Sequence, residues 1–396
     1  MMKRLILLLA ALAALAQDTK KHLEDLAGIT GLSLLKPVEQ QTMARDQLKG
    51  YFEDRIKEVV KPEEIRIEEL TLKKFGFVPP DFDLKGNTIE LMSEQAAAFY
   101  DYRKKKMVLL EGGGGIMQEA TLVHELSHAL ADQHFHLERF LKKAGSNDDG
   151  TLARTAVMEG QATYLMSEWM ARRMGQSLKD SPEMVEMMSR MAAAGGSGFP
   201  VFEKAPLYVR ESLLFPYAQG MRFQHQVVMK LGQPGFAEVF KRAPQSTREI
   251  LHPEVYFEKW TASSTKAPEL AREKDWKKLA EGTVGEFDHK VLLKQYAASL
   301  ELLSSEWRGA SYRLWEHKQN RRVVLAYVSE WADETQAQSF FGAYRTVLEK
   351  KWKQTKFTEE SAARLAGTSE DGHFVVRREG NRVTSVEGMK SASEAR

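Results

Sequence analysis

His124-Glu125-Leu126-Ser127-His128 is an H-E-x-x-H pentad set inside the run from Gln118 to Phe140. Leu122, Val123, Leu126, Ala129, Leu130 and Leu137 recur there near helical spacing, with no proline or glycine between them. That periodicity predicts a helix. Residues four apart lie on one helical face, one turn apart, so the two imidazoles can grip a single metal ion. Such a pair suits zinc, which takes histidine nitrogen readily and leaves a position for water when it has three protein ligands. Glu125 points roughly 100° around the helix from His124, toward that water and not onto the ion.

A zinc site of this kind needs a third ligand from elsewhere. Glu159, in Val157-Met158-Glu159-Gly160-Gln161-Ala162-Thr163, lies 31 residues after His128. The intervening Ala144-Gly145-Ser146-Asn147-Asp148-Asp149-Gly150 is turn chemistry throughout. A return helix from about Thr151 to Met174 would carry Glu159 among Ala156, Val157, Ala162 and Leu165. A carboxylate in apolar company is costly unless it meets a cation. The expected set is therefore one Zn2+ per chain on His124, His128 and Glu159.

The pentad followed by a glutamate on a second helix resembles the gluzincin clan of thermolysin-like zinc metallopeptidases. The likeness runs over nine residues, from His124 to Asp132. The chain is also similar to a family of uncharacterised exported bacterial and archaeal proteins, through Val123 to Phe135, Glu159 to Thr163 and Ser246-Thr247-Arg248-Glu249-Ile250-Leu251-His252-Pro253-Glu254. The resemblance implies a peptidase, more an endopeptidase than an exopeptidase. Its water would attack a peptide carbonyl while Glu125 acts as general base. It also implies an oxyanion donor, for which His252 and Tyr217 are the candidates, with Tyr256 a further rival. In the clan, the strand before the metal helix offers a sheet edge to extended substrate, which assigns Lys106, Val108 and Leu110 to substrate binding. One position departs from the pattern. Thr163 stands where an acid that orients a ligand histidine is expected, leaving Asp132, Asp148 or a carbonyl to supply that contact. The alternative reading is a catalytically silent zinc-binding scaffold or chaperone, or a partner-binding protein, on the same fold.

The chain opens with a short basic start, Met1 to Arg4, then an apolar run from Leu5 to Ala16 ending in Ala14-Leu15-Ala16. This reads as a cleavable export signal over residues 1–16, too short to span a bilayer. The expected address is periplasmic or secreted, with no stable membrane span after cleavage. There are 57 basic and 55 acidic side chains, and without Lys3 and Arg4 the counts are 55 and 55. A neutral mature chain gives no electrostatic case for nucleic acid, so the expected partner is a peptide or protein substrate. Cysteine is absent, so packed cores alone must supply stability.

The expected class is α+β: a mostly helical zincin-type metallopeptidase domain with a small antiparallel edge sheet over residues 17–265, a polar linker at 266–284, and a C-terminal α+β domain at 285–396. Residues 17–37 read as peripheral, Gln40 to Val60 as one helix, and Ser181 to Gly198 as a methionine-rich mobile loop. In the last domain, strands are expected at Ser311 to Glu316 and Arg322 to Val328. A helix capped at Asp333 and a hairpin around Gly380-Asn381 follow. This domain is expected to dock on the catalytic one or bind a protein partner.

Overall fold

The computed structural model describes residues 19–111, 116–195, 198–271, 273–391 and 394. The segment read as an export signal, residues 1–16, and the Gly112 to Gly115 run lie outside the described residues. The fold is α+β.

The chain begins with α1 (19–30), whose Leu23 and Leu26 are buried against Leu126, Leu130 and Met221. This stretch is thus part of the core, not peripheral. Next come β1 (Glu39–Met43), α2 (Arg45–Val59), α3 (Pro62–Phe75), α4 (Leu84–Gln95), β2 (Ala98–Asp101) and β3 (Lys106–Leu110). The single helix expected from Gln40 is a strand followed by a helix. β1 runs parallel to β3, from Glu39 opposite Lys106 to Met43 opposite Leu110, and β2 is antiparallel to β3 on its other side. The small sheet is therefore mixed, and its order is β1-β3-β2. β3, expected to be the free edge, is the central strand, and β2 is the outer one.

The helical layer follows: α5 (Ile116–Phe135), α6 (Leu137–Lys142), α7 (Asp148–Arg173), α8 (Pro182–Ala193), α9 (Pro200–Lys204), α10 (Leu207–Leu231), α11 (Gly235–Lys241), α12 (Thr247–Leu251) and α13 (Pro253–Phe257). The expected mobile loop is the helix α8, whose Ser189 Oγ donates to the Ala218 carbonyl of α10 at 2.8 Å. α5 ends where His136 takes a left-handed φ of 53°. Asn147 caps α7 by accepting the Gly150 N–H at 2.8 Å. α7 and α10 cross with glycine on both sides: a Cβ on Gly160 would fall 2.1 Å from the Gly220 carbonyl carbon, and one on Gly220 would fall 2.1 Å from the Ala156 oxygen. No residue with a side chain fits that approach. The crossing lies one residue from Glu159 and one turn from Tyr217.

The C-terminal unit contains β4 (Trp276–Thr283), α14 (Glu286–Tyr296), β5 (Trp307–His317), β6 (Val323–Trp331), α15 (Glu334–Lys351), β7 (Lys356–Glu360), β8 (Arg364–Ser369), β9 (Gly372–Glu379) and β10 (Arg382–Met389). Its seven strands are antiparallel, in the order β4-β5-β6-β10-β9-β8-β7. Along β6, Val323, Leu325 and Tyr327 face a core with Phe340, Tyr344 and Val347 of α15, while Val324, Ala326 and Val328 face a second core with Trp276, Trp315 and Leu270. The expected linker at 266–284 is corrected: Ala267, Leu270 and Trp276 are buried in that second core, and β4 is an outer strand of the sheet. The expected division at residue 265 is also crossed from the other side. α3 packs on the C-terminal sheet through Phe75 against Tyr312 and Tyr327, and Lys74 pairs with Asp371 at 2.5 Å.

Candidate metal centre

α5 and α7 bring three donor atoms together. His124 Nε2 and His128 Nε2 are 3.2 Å apart, and Glu159 Oε2 is 3.3 Å from each. Ligands arranged tetrahedrally around an ion with bonds of about 2.0–2.1 Å stand about 3.3–3.4 Å apart. The triangle thus has the edge lengths of one face of a zinc tetrahedron. Two imidazoles select against the hard cations, which take oxygen ligands. Among the described residues, this is the one grouping of three or more histidine or acidic residues with such spacing. The rings of His124 and His128 meet edge to face, with residue exposures of 9% and 8%.

The field of the site favours positive charge. Burial works against a charged His128, yet Glu159, Glu125 and Asp132 together raise its pKa to about 9. Burial equally works against the Glu159 anion, yet His128 and His124 hold its carboxyl well below the usual range. A cation seated at the triangle would satisfy both. The Glu125 carboxyl is pushed up, chiefly by burial and against the pull of both imidazoles. That shift suits a group that must take and return a proton.

Glu125 is held by the neighbouring strand. The Tyr100 N–H donates to Glu125 Oε2 at 2.7 Å. Ala97 and Leu110 are joined across β2 and β3 by the Leu110 N–H donating to the Ala97 carbonyl at 3.2 Å. Alternation along the strand then turns the N–H and C=O of Ala98 and Tyr100 outward, away from β3. The open edge of the sheet accordingly lies beside the metal helix and is made by β2. This corrects the assignment of Lys106, Val108 and Leu110: their strand is paired on both sides, Val108 and Leu110 are buried, and Lys106 pairs with Glu39 at 2.9 Å.

Of the two candidate oxyanion donors, the structure brings Tyr217 to the centre. Its ring stacks at 6.0 Å on that of His124, and the nearby Glu159 carboxylate pushes the phenol well above its ordinary range. Pro216 precedes it inside α10 and removes a helical hydrogen bond there. His252 is not at the centre. Its Nε2 lies 2.7 Å from Glu286 Oε1, and its Nδ1 faces Glu254 at 3.7 Å. Around it, Arg248 Nη1 donates to Glu286 Oε2 at 2.6 Å, and Thr247 Oγ1 donates to Asp149 Oδ1 at 2.6 Å. The Ser246 to Glu254 motif is thus the seam between the helical layer and α14. Tyr256, the further rival, is buried, with its hydroxyl on the Arg242 carbonyl at 2.8 Å.

Asp132 does not serve as expected either. Its Oδ2 accepts the Tyr100 hydroxyl at 2.9 Å and pairs with Lys105, and its Oδ1 accepts the Leu137 N–H at 2.9 Å. It acts on β2 and on the α5–α6 turn. Asp148, the other candidate, accepts the Tyr312 hydroxyl at 3.0 Å. Thr163 is buried, and its Oγ1 has no hydrogen-bond partner among the described residues. Sequence reasoning missed Tyr100, whose backbone donor is visible only once strand and helix are packed.

Residues 274–396 match a family described as a domain of unknown function (DUF8575). Neither the curated proteins nor the solved structures gave a match. Among the described residues, no helix is long and apolar enough to cross a membrane.

Proposed function

We propose that this chain is a zinc-dependent peptidase, probing extended peptide with the outer edge of β2 and cleaving it beside α5. The observation that carries the reading is the donor triangle of His124, His128 and Glu159 with Glu125 at its side, fixed to an open strand edge. His124, His128 and Glu159 would hold the ion. Zinc, when bound, supplies Lewis acidity and makes water a competent nucleophile near neutral pH. Glu125 takes the proton from the attacking water and passes it to the departing amine nitrogen. The Tyr217 hydroxyl, kept protonated by its surroundings, donates to the oxygen of the tetrahedral carbon. Ala98 offers its N–H and C=O to the substrate backbone, as in addition of a strand. An extended substrate laid along an open edge favours cleavage within a chain over trimming of its ends. We infer export to the periplasm or medium from the segment before Gln17.

The test is metal analysis of the purified protein together with a casein digest, with and without chelator. One zinc per chain and chelator-sensitive cleavage are expected. Glu125→Gln should keep the zinc and lower turnover by about 10²–10⁴-fold. Equal cleavage by that variant would remove Glu125 from the reaction, and wild-type protein that neither binds zinc nor cleaves would remove the whole reading.

A further inference from the structure

Two carboxylates on one face of α5 hold the same residue of the neighbouring strand. Glu125 and Asp132 are seven positions apart, two helical turns or about 10.5 Å. Tyr100 spans them, with its backbone N–H on Glu125 at 2.7 Å and its hydroxyl on Asp132 at 2.9 Å. We propose that Asp132 is a positioning residue for the proposed reaction: through the Tyr100 side chain it fixes β2 along α5, and so sets the place of both the base and the open strand edge. This inference rests on the peptidase reading for its kinetic consequence, while the clamp itself stands on the contacts.

The surroundings agree with that role. Asp132 is 2% exposed, and both its oxygens are in use. Lys105, which pairs with it, ends the β2–β3 turn in a left-handed conformation with φ of 56°. Asp101 organises the same turn by accepting the N–H groups of Arg103 and Lys104 at 2.9 and 3.0 Å, and Arg103 reaches Glu138 at 2.8 Å. The hairpin is thus tied to the far end of α5, while Tyr100 is the residue that carries this tie back toward the metal. Burial and Asp132 raise the phenol far above its ordinary pKa, so it remains a donor. A carboxylate acceptor makes this hydrogen bond stronger than a neutral one. Displacement of a base by about 1 Å can cost about 10²-fold in rate, so a clamp remote from the reacting atoms still governs turnover.

The experiment uses the full-length zinc-loaded protein. Tyr100→Phe removes only the hydroxyl. Asp132→Asn keeps one accepting oxygen where two are in use, so its amide NH2 replaces an acceptor for either the Tyr100 hydroxyl or the Leu137 N–H, whereas Asp132→Ala removes both acceptors and risks the α5–α6 turn. Amide exchange over residues 98–101 and casein hydrolysis are measured on each. Tyr100→Phe should raise exchange of that segment about tenfold and lower kcat about tenfold, with KM within about twofold and zinc content unchanged. Asp132→Asn, left with one accepting oxygen for two donors, should move exchange and kcat in the same direction as Tyr100→Phe. Wild-type exchange and turnover in Tyr100→Phe would overturn the proposal, as would a loss of kcat matched by an equal loss of zinc or of folded protein. If the wild type does not cleave casein, the peptidase reading fails separately. Exchange then decides the clamp alone: faster exchange in Tyr100→Phe supports it, and unchanged exchange overturns it.

Discussion

Gly220→Ala is the substitution with the largest expected effect for the smallest chemical change. The new methyl carbon would lie 2.1 Å from the Ala156 carbonyl oxygen and 2.9 Å from Gly160 Cα. Ordinary contact begins near 3.4 Å, and the obstruction is backbone, so no side chain can swing aside. α7 and α10 must therefore part by about 1 Å, the scale on which overpacked cores rearrange. Overpacking costs about 1–3 kcal/mol, and alanine returns about 1 kcal/mol of helix propensity. A net loss of up to about 2 kcal/mol follows, or up to a few degrees in melting temperature. The consequence at the metal is more diagnostic. Glu159 is adjacent to Gly160, and its oxygen stands 3.3 Å from both imidazole nitrogens. Widening those edges by about 1 Å takes the triangle past the spacing that bonds of about 2.0–2.1 Å allow. Zinc affinity should fall at least about tenfold, the scale seen when ligand placement is disturbed. Competition against a chromophoric chelator measures this, and a thermal scan measures stability. Wild-type affinity with an unchanged melting temperature would refute the claim that the glycine crossing sets the position of Glu159.

Two further outcomes concern the seam. His252→Ala leaves one oxygen of the buried Glu286 carboxylate without its 2.7 Å partner, so stability should drop by about 1–3 kcal/mol while turnover per folded molecule is retained. A loss of kcat above about tenfold without a thermal shift would return His252 to the reacting atoms. Asp149 is raised from 3.8 to about 8 by burial and by Asp288 nearby, and Asp288 is raised to about 6, chiefly by burial. The folded state holds these protons more tightly than the unfolded chain. Their contribution is therefore complete below the ordinary value of 3.8 and is lost as pH rises through about 6 and about 8. Melting temperatures taken from pH 5 to pH 9 should fall over that window (about one pKa unit being 1.4 kcal/mol), and Asp149→Asn should flatten the fall. An identical slope in wild type and variant would show that Asp149 does not carry the linkage.

Some of this architecture is written locally. The stripe from Leu122 to Leu130 announces α5, Asn147 and the turn around it start α7, and β3 follows the apolar run from Met107 to Leu110. Asp333 caps α15 by accepting the Gln336 N–H at 2.9 Å, and Gly380 turns the β9–β10 hairpin with φ of 56°. The clustering of His124, His128 and Glu159 was legible because spacing on a helix fixes direction, and a carboxylate among apolar neighbours asks for a cation. What escaped depends on partners far along the chain. β1 is polar, and Met43 continues the spacing of Leu48 and Phe52, so strand and helix read as one element. β4 is an outer strand with Lys277 and Lys278 exposed, which is how a linker also looks. The open edge depends on sheet order, which only the parallel pairing of β1 with β3 decides. His252 carries the residue type expected of an oxyanion donor, but its partner Glu286 arrives 34 positions later.

α7 joins two regions that the chain could have kept apart. Its first turn is anchored outside the helical layer: Asp148 receives the Tyr312 hydroxyl, and the Asp149 N–H reaches Thr283 Oγ1 at 3.1 Å. Ten residues separate Asp149 from Glu159, about 15 Å of continuous helix. The rod works as a lever whose fulcrum belongs to the C-terminal unit. Trimming the protein at residue 265 to isolate the helical half would strip away Thr283 and Tyr312, and the carboxylate at the other end would lose its fixed height above the two rings.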